Sequence, residues 1–206
     1  KERHWHKLMD MTGTKFDMNP KKFTLGNLFA MDLSRFVEEI GEIVTEAMQE
    51  LKIETELKKV EDVWSATQFD IVKLGNFYIL RAADNIQLEL EDSQLNLQTM
   101  GGSRFALEYI DVIRGWDKKL NHVSEVMEVW FKVQSRWKYL ESIFVSEDIR
   151  QQLPEEAKKF DNVDKEFKGI MNDTSKEANV IKACHVNKRL ETLEELLDKL
   201  DKCQKS

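Results

Sequence analysis

Between Val123 and Phe144 seven apolar residues, Val123, Val126, Trp130, Val133, Trp137, Leu140 and Phe144, recur at alternating steps of three and four. Only an α-helix gathers that spacing into one stripe, and two of the seven are tryptophans, whose large apolar area has to leave water. The stripe is therefore expected to be core, packed against at least two other helices. Such periodicity identifies a packing element and names no function.

The rest of the chain agrees with a helical protein. Its 206 residues are 41% hydrophobic, enough for a packed core in one large or two small domains. Charged residues make up 33% while Gly numbers 8 and Pro 2, the balance of long helices with solvated outer faces. The expected fold is all-α, an elongated multi-helix bundle with one small β-hairpin near residues 69–80. A net charge of −7 argues against a nucleic-acid surface, and Lys21-Lys22, Lys58-Lys59 and Lys118-Lys119 read as solvated helix faces. Cys184 and Cys203 sit in a chain large enough to need no disulfide, which fits a reducing cytosolic or ciliary compartment. No apolar run approaches the roughly 20 residues of a membrane span, and no signal-peptide pattern opens the chain. Opening at Lys1 without Met and ending on an amphipathic pattern, the chain has the look of a piece of something longer.

Local signals place the elements. Residues 1–12 read as a short helix stopped by Gly13, and Thr24 can cap another over Leu25 to Ala30. Leu33, Phe36, Ile40, Ile43, Ala47 and Leu51 form a stripe that resumes at Leu57, Val60 and Trp64, a helix of roughly thirty residues if Gly41 is tolerated. Aromatic and β-branched residues on either side of Gly75-Asn76 predict the hairpin. Asp84 is a candidate N-cap for a helix ended by Gly101-Gly102, a pair that lacks the Lys-Ser or Lys-Thr of a phosphate loop. Ser103 is expected to open the next helix, with a turn at Asn121-His122 before the tryptophan stripe. Pro154 stands at a first helical position ahead of Ala157, Phe160, Val163, Phe167, Ile170 and Met171. Leu190, Leu193, Leu197, Leu200 and Cys203 form a last stripe, whose partner helix is expected outside the segment. The division expected is an N-terminal subdomain over 1–82 and a second helical one over 83–206.

Chemistry is sparse. His4 and His6 flank Trp5 at a spacing that puts them on different helix faces, whereas a metal-binding His pair on a helix needs a spacing near four. Cys184-His185 sets a thiol beside an imidazole, but catalytic pairs meet through folding and chain neighbours point apart. Nucleophile elbow, Walker loop, dinucleotide turn and acidic metal loop are all missing from the sequence. No catalytic, cofactor-binding or metal-ligating residue is assigned, and the seven stripe residues are the only site named.

The order of local motifs goes further. Val129-Trp130-Phe131, Val133-Gln134, Trp137 and Leu140-Glu141-Ser142-Ile143-Phe144 resemble the linker region of dynein heavy chains. Arg3-His4-Trp5, Val63-Trp64, Leu90-Glu91-Asp92, Asp148-Ile149-Arg150, Leu153-Pro154 and Ala157-Lys158-Lys159-Phe160 agree in the same order, so the resemblance covers nearly the whole chain. Phe29-Ala30-Met31, Gly102-Ser103-Arg104-Phe105 and Lys202-Cys203-Gln204-Lys205-Ser206 look most like axonemal inner-arm heavy chains. The resemblance implies the first part of a helical arch that crosses a ring of AAA+ modules and moves the tail as the ring exchanges nucleotide. It further implies no cofactor in this segment, with ATP and Mg in the parent motor. The implied partners are the AAA+ ring of the same chain and the tail with its intermediate and light chains. Microtubule contact is indirect, and neither nucleic acid nor membrane is a partner. The implied setting is the cytoplasm and the axoneme of a cilium or flagellum. A passive helical scaffold that docks partner proteins is the alternative, and an enzyme or metal protein using His4, His6, Cys184 or His185 is a third class.

Overall fold

A computed structural model describes residues 1–205; Ser206, the end of the last motif quoted above, lies outside the described residues. Among the described residues there are nine α-helices and one two-stranded sheet, an all-α architecture with a small β-hairpin. α1 (Glu2–Thr12) ends where Gly13 turns left-handed at φ 65°. The loop that follows is held by Phe16 and Phe23 packed on Trp5. Thr24 then caps α2 (Leu25–Ala30), its Oγ1 accepting from Asn27 N.

A short 3-10 turn leads into α3 (Val37–Ala66), 30 residues long with Gly41 inside it. Its buried face runs through Glu50, Ile53, Leu57, Val60 and Trp64. Leu51, expected on the inner stripe, is 60% exposed and lines up instead with exposed Val37, Val44 and Met48. The first half of α3 is apolar on more than one face, and the side that is covered is the one where Glu50 meets charged partners from α1.

β1 (Ile71–Leu74) and β2 (Phe77–Leu80) pair antiparallel with Ile71 opposite Leu80, and Gly75 supplies the turn at φ 58°. α4 (Asp84–Gly101) begins at Asp84 itself, so Asp84 is the first helical residue and not the N-cap, and Ala83 before it provides no side-chain cap. Residues 103–109 form turns and a short 3-10 segment, so the next helix opens at Ile110 and not at Ser103. This is α5 (Ile110–Phe144), 35 residues without interruption. The turn expected at Asn121-His122 is absent. Neither residue breaks a helix, Leu120 and Val123 are both buried, and Asn121 bonds back to Asp117 one turn earlier.

α6 (Glu147–Gln152) and α7 (Pro154–Lys176) follow, the latter with Pro154 in its first turn. α8 (Val180–Cys184) and α9 (Arg189–Lys205) complete the chain. α4, α8 and α9 all lie along α5, and α7 fills the space between α9 and β2. Leu193, Leu196, Leu200 and Cys203 are the buried face of α9, with Leu190 and Leu197 at its margin. The partner of this last stripe is therefore α5 with α7, inside the segment and not beyond it. Among the described residues no helix is long and apolar enough to cross a membrane.

Candidate functional site

All seven stripe residues of α5 lie in the interior, none more than 3% exposed. Each aromatic of the stripe meets a ring from another part of the chain. Trp130 meets the ring of Phe69 in an edge arrangement at 5.5 Å between centroids, and the Arg189 guanidinium of α9 lies 5.2 Å from the Trp130 ring centroid. Trp137 sits between Phe77 of β2 at 5.1 Å and Phe167 of α7 at 5.0 Å, and its Nε1 donates to Asp164 at 2.9 Å. Phe144 stacks on Phe160 at 5.2 Å. The stripe thus binds the hairpin, α7 and α9 to one rod.

Two buried amides finish the connection. Gln134, on α5 beside the stripe, accepts from Leu80 N and donates to Leu80 O, both at 2.8 Å. This pairs β2 to a helix through a side chain that imitates a strand. Asn179, between α7 and α8, donates through Nδ2 to the carbonyls of Trp64, Ser65 and Thr67, while its Oδ1 accepts from Lys182 N. One side chain therefore closes the C-terminus of α3 and the N-terminus of α8. Backbone bonds from Phe69 N to Ala178 O and from Val180 N to Thr67 O flank it.

The polar residues considered from the sequence behave as individuals. His4 is buried on α1 with Nε2 2.8 Å from Glu50, whereas His6 is exposed, so the two do not converge. Cys184 is fully buried, and burial pushes its thiol up to about 12, which suppresses the thiolate a nucleophile needs. His185 turns to the surface, donates through Nδ1 to Ile181 O and packs its ring 4.8 Å from that of His122. Burial lowers its pKa, and the neighbouring His122 and Lys119 act in the same direction. Sequence reasoning missed Gln134 and Asn179 as connecting residues. For Asn179 a local signal existed, an Asn directly before an apolar helix start; for Gln134 the only hint was a polar residue wedged between two buried tryptophans.

A family model described as dynein heavy chain, N-terminal region 2, matches residues 1–206. The chain is 48% identical to the dynein-1-alpha heavy chain of the flagellar inner arm I1 complex of Chlamydomonas reinhardtii. It is 44% identical to dynein axonemal heavy chain 10 of Homo sapiens, and in both cases the whole of this chain is aligned. The dynein-1-beta heavy chain of the same Chlamydomonas complex is 38% identical over 99% of it. This chain spans about 5% of the length of the first two relatives and 4% of the third. With the family model and these relatives covering the chain from end to end, the chain belongs to the dynein heavy chain family as its N-terminal region 2.

Proposed function

We propose that this segment is the stiff part of a mechanical linker, a lever that couples ATP-driven changes in an AAA+ ring of the same heavy chain to movement of the tail. The observation that carries this reading is the unbroken α5, to which the hairpin, α7 and α9 are keyed by interlocking aromatics and by Gln134. Close-packed interiors transmit strain and do not absorb it. On this reading residues 1–82 and 83–206 are successive subdomains, ATP and Mg act elsewhere in the motor, and microtubule contact is indirect. Tail intermediate and light chains are partners through the parent, and the motor works in the axoneme of a cilium or flagellum. A scaffold role is the second reading, favoured by the exposed Val37, Val44, Met48 and Leu51 of α3.

The test compares microtubule gliding and ATPase of the heavy chain with and without residues 1–206, alongside a Gln134→Leu variant that removes both hydrogen bonds between α5 and Leu80 of β2. A lever requires gliding to collapse on deletion, and to slow in the variant, while ATP turnover continues. Gliding unaffected by both changes would rule out the lever and leave the scaffold.

A further inference from the structure

The contact between α1 and α3 differs in kind from the rest of the molecule. α3 presents Glu46, Glu50 and Glu54 one turn apart, and α1 crosses them antiparallel. Lys7 Nζ donates to both oxygens of Glu46 at 2.6 Å, Arg3 Nη2 donates to Glu50, and Lys1 Nζ donates to Glu54 at 2.8 Å. His4 approaches the same Glu50 oxygen without hydrogen-bond alignment. Hydrogen bonds from Lys7 and Lys1 hold the Glu46 and Glu54 carboxyls below the usual carboxylate range. The apolar side chains that α1 buries most deeply are Leu8 and Met9, with Trp5 half-covered by Phe16 and Phe23.

The contact is thus a row of charge pairs beside a small apolar patch. Glu46 and Glu54 and their lysine partners are all partly solvated, where each pair contributes little and is screened by salt. Glu50 alone is deeply buried, at 5% side-chain exposure, and supplies the register. His4, Glu46 and Glu50 place their donor atoms within 4.8 Å of one another, a spacing compatible with a divalent ion. Glu46 and Glu50 already carry Lys7 and Arg3, so charge is balanced without one.

We propose that α1 is a salt-sensitive clasp that leaves α3 as a unit while the core from α3 to α9 stays folded. The release is a property of the α1–α3 contact. Only its effect, uncoupling α1 from a moving arm, rests on the lever reading.

Hydrogen exchange of the heavy chain, followed by mass spectrometry, tests the release without reference to motility. Raising NaCl from about 0.05 M to about 1 M is expected to speed exchange of residues 2–12 about ten-fold, while α5 and α9 change less than about two-fold. The double variant Glu46→Gln with Glu54→Gln, which alters only solvated carboxylates, is expected to show the fast α1 exchange already at low salt. Slow α1 exchange at high salt, or α1 and α5 speeding together, would overturn the clasp. Protection of α1 that appears only on adding Zn²⁺ and vanishes in His4→Ala would replace it with an ion site.

Discussion

Three tryptophans are completely enclosed, yet their indole N–H groups meet different fates. Trp64 donates to Ser93 at 3.1 Å and Trp137 to Asp164, whereas Trp130 Nε1 has no hydrogen-bond partner among the described residues. An unpaired buried donor costs about 1–3 kcal/mol, so removing it recovers part of what a smaller ring loses. Trp130→Phe is expected to cost less than about 1 kcal/mol, and Trp137→Phe about 1–2 kcal/mol more. Either residue changed to Ala should cost about 3–5 kcal/mol. Urea unfolding of the four variants checks this, and equal losses for the two Phe variants would refute the distinction. The spacing of the stripe was enough to place both tryptophans in the core. It could not reveal which indole is satisfied, because Asp164 arrives on α7 from a distant part of the sequence.

His185 belongs to the same scale. Its pKa in the folded chain lies below the usual value, so in the unfolded chain it takes up a proton first, near pH 6.5. Protons bound by the unfolded state and not by the native one make stability fall as pH drops through that region. The fall ends once the native imidazole is protonated as well. Thermal melts between pH 7.5 and pH 5 should show this slope reduced in His185→Gln.

At the scale of elements, the hairpin was readable because a Gly-Asn turn between β-rich runs is a local instruction. α5 was misjudged as two helices because Asn and His suit turns, while the continuous burial on either side of them is a property of the assembled bundle. Long-range amides are the least legible feature, since nothing near Asn179 in sequence announces the three carbonyls of α3. Asn179→Ala should cost about 2–3 kcal/mol, the loss of two helix closures. Asn179→Asp should cost more than Ala despite its matched shape, because a carboxylate oxygen would replace the amide donor against three carbonyl oxygens. Differential calorimetry ranks the two, and Asp milder than Ala would show that the amide donor contributes nothing.

For the whole molecule, the sequence correctly indicated a helical bundle with one hairpin and a member of the dynein heavy chain family. It did not indicate that α1 meets α3 through a row of charge pairs while α5 meets its neighbours through aliphatic side chains and rings, since both kinds of helix carry the same periodic pattern. Under the proposed clasp, ionic strength acts on the first of these contacts and spares the second. The continuity of α5 has a geometrical counterpart. At about 1.5 Å per residue its 35 residues span about 52 Å, so a rotation of about 10° at one end sweeps the other through about 9 Å. With no break in the hydrogen-bond ladder between Ile110 and Phe144, such a pivot belongs at the ends of the rod, beside Tyr109 or Val145. Angular changes too small to disturb a single rotamer there become displacements as wide as a helix at the far tip.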